Sequence, residues 1–193
     1  MSEPNLSQQI REYVVRISES GPAALAGLYD LTAPRLLRFA ITITRNQHDA
    51  EDAVQAVLVA TVARPTAVAT ACEPWHYLLR MVRNESLMIL RKKRRWMLSS
   101  ILNAGLNDLL AHRDVNSVEQ EDMQRTVLIA LRSLPVEQSQ VVVLKIWEEL
   151  TFQEIADMLD CSIQTVASRY RYAIQKLMPK LRACHEETVH HGG

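Results

Sequence analysis

"TFQEIADMLDCSIQTVASRYRYAIQKL", residues 151–177, decides the fold. It opens as a capping box: the Thr151 hydroxyl accepts from the Glu154 amide while the Glu154 carboxylate reaches back to the Thr151 amide. Ile155, Ala156 and Leu159 then share one face of a short helix. "DCS" at 160–162 makes a tight turn, and Ser162 is placed to cap the next helix. In that helix Val166, Tyr170, Ala173 and Leu177 face inward at 4-3-4 spacing, with Gln164, Ser168, Arg171 and Gln175 opposite. A short helix, a tight turn and a longer polar-faced helix form a helix-turn-helix, whose second helix enters the DNA major groove. From Thr165 to Ala183 there are five cations and no acid, a balance suited to phosphate. A plain helical hairpin with a solvated basic face is the alternative, and it leaves the charge asymmetry unused.

Working outward, the chain reads as all-α: two small helical domains joined by a linker. It has 193 residues, 48% of them hydrophobic and only five of them glycine, enough apolar matter for packed cores. Leu6, Ile10, Tyr13, Val14 and Ile17 predict an amphipathic helix ended by Gly21-Pro22. A second helical region runs to about residue 45, with a kink or restart expected at Pro34. Asn46 is placed to cap a third helix whose first turns hold Asp49, Glu51 and Asp52, acids that the helix dipole favours there. Residues 63–74, with two prolines, read as a loop, and a long helix starts at Trp75. These parts make a first domain over 1–95. Residues 96–122 are expected to be a linker, with a short helix suggested by Leu98, Leu102, Leu106 and Leu110, a stripe that would need an apolar surface to cover it. The second domain is placed at 123–183, and a flexible tail at 184–193.

Charge is balanced overall, 22 Lys+Arg against 22 Asp+Glu, yet unevenly placed. From Arg80 to Arg95 there are seven cations against the single acid Glu85, and Arg91 to Arg95 are consecutive. Such a run suits a nucleic-acid backbone crossing a helix end, although a solvated helix terminus explains it equally well in isolation.

No Gly-rich phosphate loop, zinc-protease signature or nucleophile elbow is present, so an enzyme is not expected. No cofactor and no metal are expected: Cys184-His185 with His190-His191 could bind zinc, but a polar chain end is the simpler reading. Three widely spaced cysteines do not suggest a disulfide scaffold. The polar start and the short apolar stretch 53–63 give no signal peptide and no stable membrane insertion, so a cytoplasmic protein is expected.

At this point a resemblance enters. "LRSLPVEQSQVVVLKIWEELTFQEIADMLDCSIQTVASRYRYAIQKL" (131–177) resembles the C-terminal domain of bacterial sigma factors of the extracytoplasmic-function class. "DAEDAVQ" (49–55), Trp75 and "VRNESLMILRKKRR" (82–95) resemble that class's first domain, in the same order. The resemblance implies a protein that binds core RNA polymerase and directs promoter recognition, −10 melting and transcription initiation. It implies a −35 contact set of Ser162, Gln164, Thr165, Ala167, Ser168, Arg169, Arg171 and Tyr172. For the −10 region it implies Trp75, His76, Arg80, Arg83, Asn84, Arg91, Lys92, Arg94 and Arg95, with loop 63–74 and Asn84 forming a pocket for an extruded base. Trp75 could stack on a base, but an aromatic at a helix start more often anchors a core. Asp49, Glu51, Asp52 and Gln55 would dock on the clamp coiled coil of the polymerase largest subunit. Promoter DNA, core polymerase and an anti-sigma factor are the implied partners. Ala167, Asp160 and Met88 depart from the class, where a cation, a turn glycine and an acid are usual, so a transferred promoter consensus is not implied. The competing reading is a stand-alone helix-turn-helix regulator that binds duplex DNA without polymerase.

Overall fold

The computed structural model of the protein describes residues 5–104 and 122–190, and every regular element among them is helical. The chain divides into two compact units, Met1–Val115 and Asn116–Gly193.

The first unit is built from α1 (Leu6–Ser20), α2 (Leu25–Thr44), α3 (Gln47–Ala63), α4 (Pro65–Ala69) and α5 (Pro74–Ala104). Asn5 caps α1, and Gly21 closes it at φ +73, its amide donating to the Ile17 carbonyl, a conformation that favours glycine. A single 3-10 turn, Gly21–Ala24, leads into α2. There Gly27 lets α1 approach closely, since a Cβ would fall 2.3 Å from the Tyr13 ring. Pro34 does not end α2, so the restart is not found: one helix runs through it. An internal proline costs about 3 kcal/mol. Here Leu28, Ala33, Leu36, Phe39, Ala40 and Ile43 are all buried along the same helix, and that burial outweighs the cost. The Asn46 side chain caps α3 by accepting from the Asp49 amide at 3.0 Å.

α2 packs on α3 and α5, α3 packs on α5, and α1 closes against α4. The core between them is supplied by Ile10 and Val14, by Leu36, Phe39 and Ile43, by Val54 and Val57, and by Leu78, Leu79 and Val82. Two expectations are corrected here. The segment read as a loop at 63–74 contains α4, with Pro65 at its first turn, where a missing amide costs nothing. The long helix does not stop at the basic cluster but continues to Ala104, because no residue from Arg91 to Ala104 breaks a helix. Leu98 therefore lies on α5, and Leu106 and Leu110 of the expected linker helix lie outside the described residues.

The second unit holds α6 (Asp122–Arg132), α7 (Val136–Ile146), α8 (Phe152–Leu159) and α9 (Ile163–His190). α9 collects contacts from α6, α7 and α8. Leu131, Leu134, Val141, Val143, Leu144, Ile155, Val166 and Ala173 are buried between them. The capping box is present: the Glu154 amide donates to Thr151 Oγ1 at 3.2 Å, and the Thr151 amide donates to Glu154 Oε2 at 2.7 Å. Asp160 ends α8 at φ 54, ψ 55, the left-handed conformation that Asp tolerates better than most residues. α9 carries on past Pro179 to His190, further than the sequence suggests, so the stretch read as a tail is helical over most of its length.

Candidate nucleic-acid interface

The recognition helix α9 is fixed at its start. Ser162 Oγ accepts from the Thr165 amide at 3.1 Å, and the two hydroxyls lie 2.9 Å apart, so both side chains serve the cap before they serve any ligand. Along the buried side, Tyr170 packs against Phe152 of α8, with ring centroids 5.6 Å apart. Lys145 of α7 lies over that Phe152 ring at 5.5 Å. These contacts tie α9 to α8 and α8 to α7 across the helix-turn-helix.

The outward side presents Gln164, Arg171 and Tyr172, all exposed, with Ala167, Ser168 and Arg169 half-buried beside them. Arg169 turns back over the turn, its Nη1 donating to Cys161 Sγ at 3.9 Å. Arg171 extends over the neighbouring Tyr172 ring, 5.2 Å from its centroid. A guanidinium held on a ring loses part of its side-chain freedom before any ligand arrives, so less entropy is lost when it binds a base edge.

In the first unit the sequence-assigned residues separate into those at the surface and those inside. Asn84, Arg91, Lys92, Arg94 and Arg95 are exposed along α5; His76 and Arg83 are half-buried. Arg80 is exposed, and both Arg80 and Arg83 also make contacts within the protein. Beyond the basic run the same helix shows Trp96, Met97 and Leu98 to solvent, Trp96 at 73% exposure. Trp75 requires a correction. It is 4% exposed, its ring covered by the Arg35 guanidinium at 4.9 Å, so it anchors the start of α5 and offers no face to a base.

Asp49 requires the second correction. It is 6% exposed and its carboxylate is bound by Lys93 Nζ at 2.7 Å, which leaves nothing to present to a partner protein. Glu51, Asp52 and Gln55 remain on the surface of α3, with Glu51 accepting from Gln47 Nε2 at 2.7 Å. One cation of the basic run, Lys93, stays largely exposed and yet ties α5 to the head of α3 through its ammonium. No sequence signal connects residues 44 positions apart, so this strut was not legible beforehand. Lys93→Met should lower the unfolding free energy by about 1–3 kcal/mol, the cost of leaving the buried Asp49 carboxylate without its donor. The same change at exposed Lys92 should stay within about 0.5 kcal/mol. Urea denaturation of the two variants checks the difference.

Among the described residues no cluster of His, Cys, Asp or Glu is arranged to hold a metal ion. No described helix is long and apolar enough to cross a membrane.

Set beside known proteins, residues 28–96 match the Sigma-70 region 2 family, and residues 124–177 match the Sigma-70, region 4 family. The chain is 20% identical over 185 residues to the ECF RNA polymerase sigma factor SigW of Bacillus subtilis, covering 92% of this chain and 99% of that one. It is 28% identical over 149 residues to the RNA polymerase sigma-E factor of Streptomyces avermitilis, covering 77% and 79%. Two solved structures share the fold. One is the sigma factor RpoE in complex with the anti-sigma factor NepR from Bartonella quintana, with TM-score 0.61 and 23% identity over 81% of this chain and 96% of that one. The other is CnrH in complex with the cytosolic domain of CnrY, with TM-score 0.58 and 18% identity over 93% and 99%.

Proposed function

From a chain that belongs to the sigma-70 family of RNA polymerase sigma factors, in its extracytoplasmic-function class, we infer a division of labour along the two units. The protein binds core RNA polymerase and directs promoter recognition and transcription initiation. The second unit reads the −35 element as duplex, with α9 in the major groove. Arg171 makes the bidentate contact to guanine there, Gln164, Ser168 and Tyr172 line the same face, and Arg169 and Lys176 meet phosphate.

The first unit acts where the duplex opens. The segment 63–74 and Asn84 receive an extruded base, the Asn84 amide offering both a donor and an acceptor to its edge. Arg91, Lys92, Arg94 and Arg95 follow the backbone, supported by their exposure around the helix. Glu51, Asp52 and Gln55 on α3 dock on the polymerase clamp. An anti-sigma factor is the expected regulator, since the structure of RpoE was solved with one bound.

The observation that carries this reading is the pairing of the region 2 and region 4 matches, in that order, on one chain. A stand-alone duplex binder has no use for a region 2 unit, which decides against that alternative. The test is run-off transcription with the purified chain and core polymerase on a pool of genomic fragments. Discrete starts sharing two upstream elements are expected. Transcription indistinguishable from that of core enzyme alone would refute the reading.

A further inference from the structure

α4 is five residues long, too short to be stable alone, because a single helical turn fixes several residues for one or two hydrogen bonds. Beneath it, Val68 is buried and fastens the turn to the core. Beyond it, Cys72 and Glu73 line an open cleft of about 670 Å3 together with residues of α1. Two side chains of α1 hold the segment directly. The Arg11 guanidinium donates through Nε to the Ala69 carbonyl at 3.0 Å, and through Nη2 to the Ala71 and Cys72 carbonyls at 3.0 and 3.3 Å. Ser7 Oγ donates to Glu73 Oε2 at 2.8 Å and accepts from the Trp75 amide at 3.4 Å.

Of the carbonyls that Arg11 takes, that of Ala69 is one a helix end leaves without an amide partner, and those of Ala71 and Cys72 belong to the turn beyond; its positive charge sits at the negative end of α4. A guanidinium fork meets three carbonyls together, which an ammonium cannot do with the same geometry. We propose that Arg11 is a positioning residue for promoter opening: from α1 it sets the backbone of residues 69–72, the segment that receives the extruded base, without touching the base itself. This rests on the assignment of segment 63–74 as the base pocket. Arg11 stands about sixty positions away from the segment it holds and lies outside the matched region 2 span, residues 28–96.

The test uses holoenzyme assembled from core polymerase and the full chain, on a promoter recovered by the run-off selection. Open-complex formation is read by permanganate reactivity, on the intact promoter and on copies carrying one abasic nucleotide at each −10 position in turn. The unaltered protein should lose about tenfold at one position, the order expected for contacts to a single base. Arg11→Ala should lose a similar factor on the intact promoter and nothing further at that position, with core binding and the helical circular dichroism unchanged. Arg11→Lys, keeping the charge but not the fork, should recover only part of the loss. If Arg11→Ala retains the full abasic penalty, or loses core affinity in step with opening, the positioning role is wrong while the pocket stands. If the unaltered protein shows no penalty at any position, the pocket assignment itself fails and the role of Arg11 falls with it.

Discussion

Phe39→Ala is expected to cost the first unit about 3–5 kcal/mol, the range for removing a buried aromatic ring and leaving a cavity. Phe39 is fully buried and is the largest such side chain among the described residues. It sits on α2, the helix that packs against both α3 and α5. α3 carries Asp52 and Gln55, and α5 carries Asn84 and the basic run, so one ring supports both proposed interfaces. A small domain is stable by only about 5–15 kcal/mol, so the variant stands near its unfolding threshold at working temperature. Urea denaturation followed by helical circular dichroism should show a lower midpoint for this unit. Phe39→Leu, which keeps most of the volume, should cost less than about 1.5 kcal/mol. Equal midpoints for the two variants would mean that the core relaxes around the lost ring, and that the helices are not set by it.

Arg171→Ala should leave the fold intact and change what is read. The side chain is exposed and its guanidinium lies over the Tyr172 ring, so removing it uncovers no core. A bidentate arginine–guanine pair is worth about 1–3 kcal/mol of discrimination, or roughly 5- to 150-fold. Initiation should therefore fall by that factor at promoters with guanine at one −35 position, and templates with another base there should change little. Arg171→Lys keeps the charge but not the fork and should lose most of the discrimination while retaining more affinity. Competitive transcription on a template library randomised over the −35 element measures both. A uniform loss across all sequences, with a shallower dependence on salt, would make Arg171 a phosphate contact instead.

The second unit was the more legible part of the chain, and the reason is locality. The capping box joins residues three apart, the Ser162 cap also spans three, and the Val166, Tyr170, Ala173, Leu177 face follows from helical periodicity. The left-handed Asp160 stands where the resembled class usually has a turn glycine. In the first unit the same local rules placed α1 and the Asn46 cap correctly. They failed where breakers compete with burial. Pro34 looked like an interruption but lies inside an unbroken helix, and the two-proline stretch at 63–74 hides the short α4.

The sites divide along the same line. Sequence placed the recognition helix, the exposed acids of α3 and the basic run of α5, because charge and helical register are written residue by residue. Tertiary structure alone decided which of those charges are available. It took Asp49 out of the proposed clamp surface by pairing it with Lys93 across 44 residues, put Trp75 under Arg35, and brought Arg11 onto the carbonyls of a turn it does not adjoin. Helix formation depends on neighbours three or four places along the chain, so a linear reading suffices for it. Whether a side chain meets water, a partner or another side chain depends on which helices pack together, and only the folded chain specifies that.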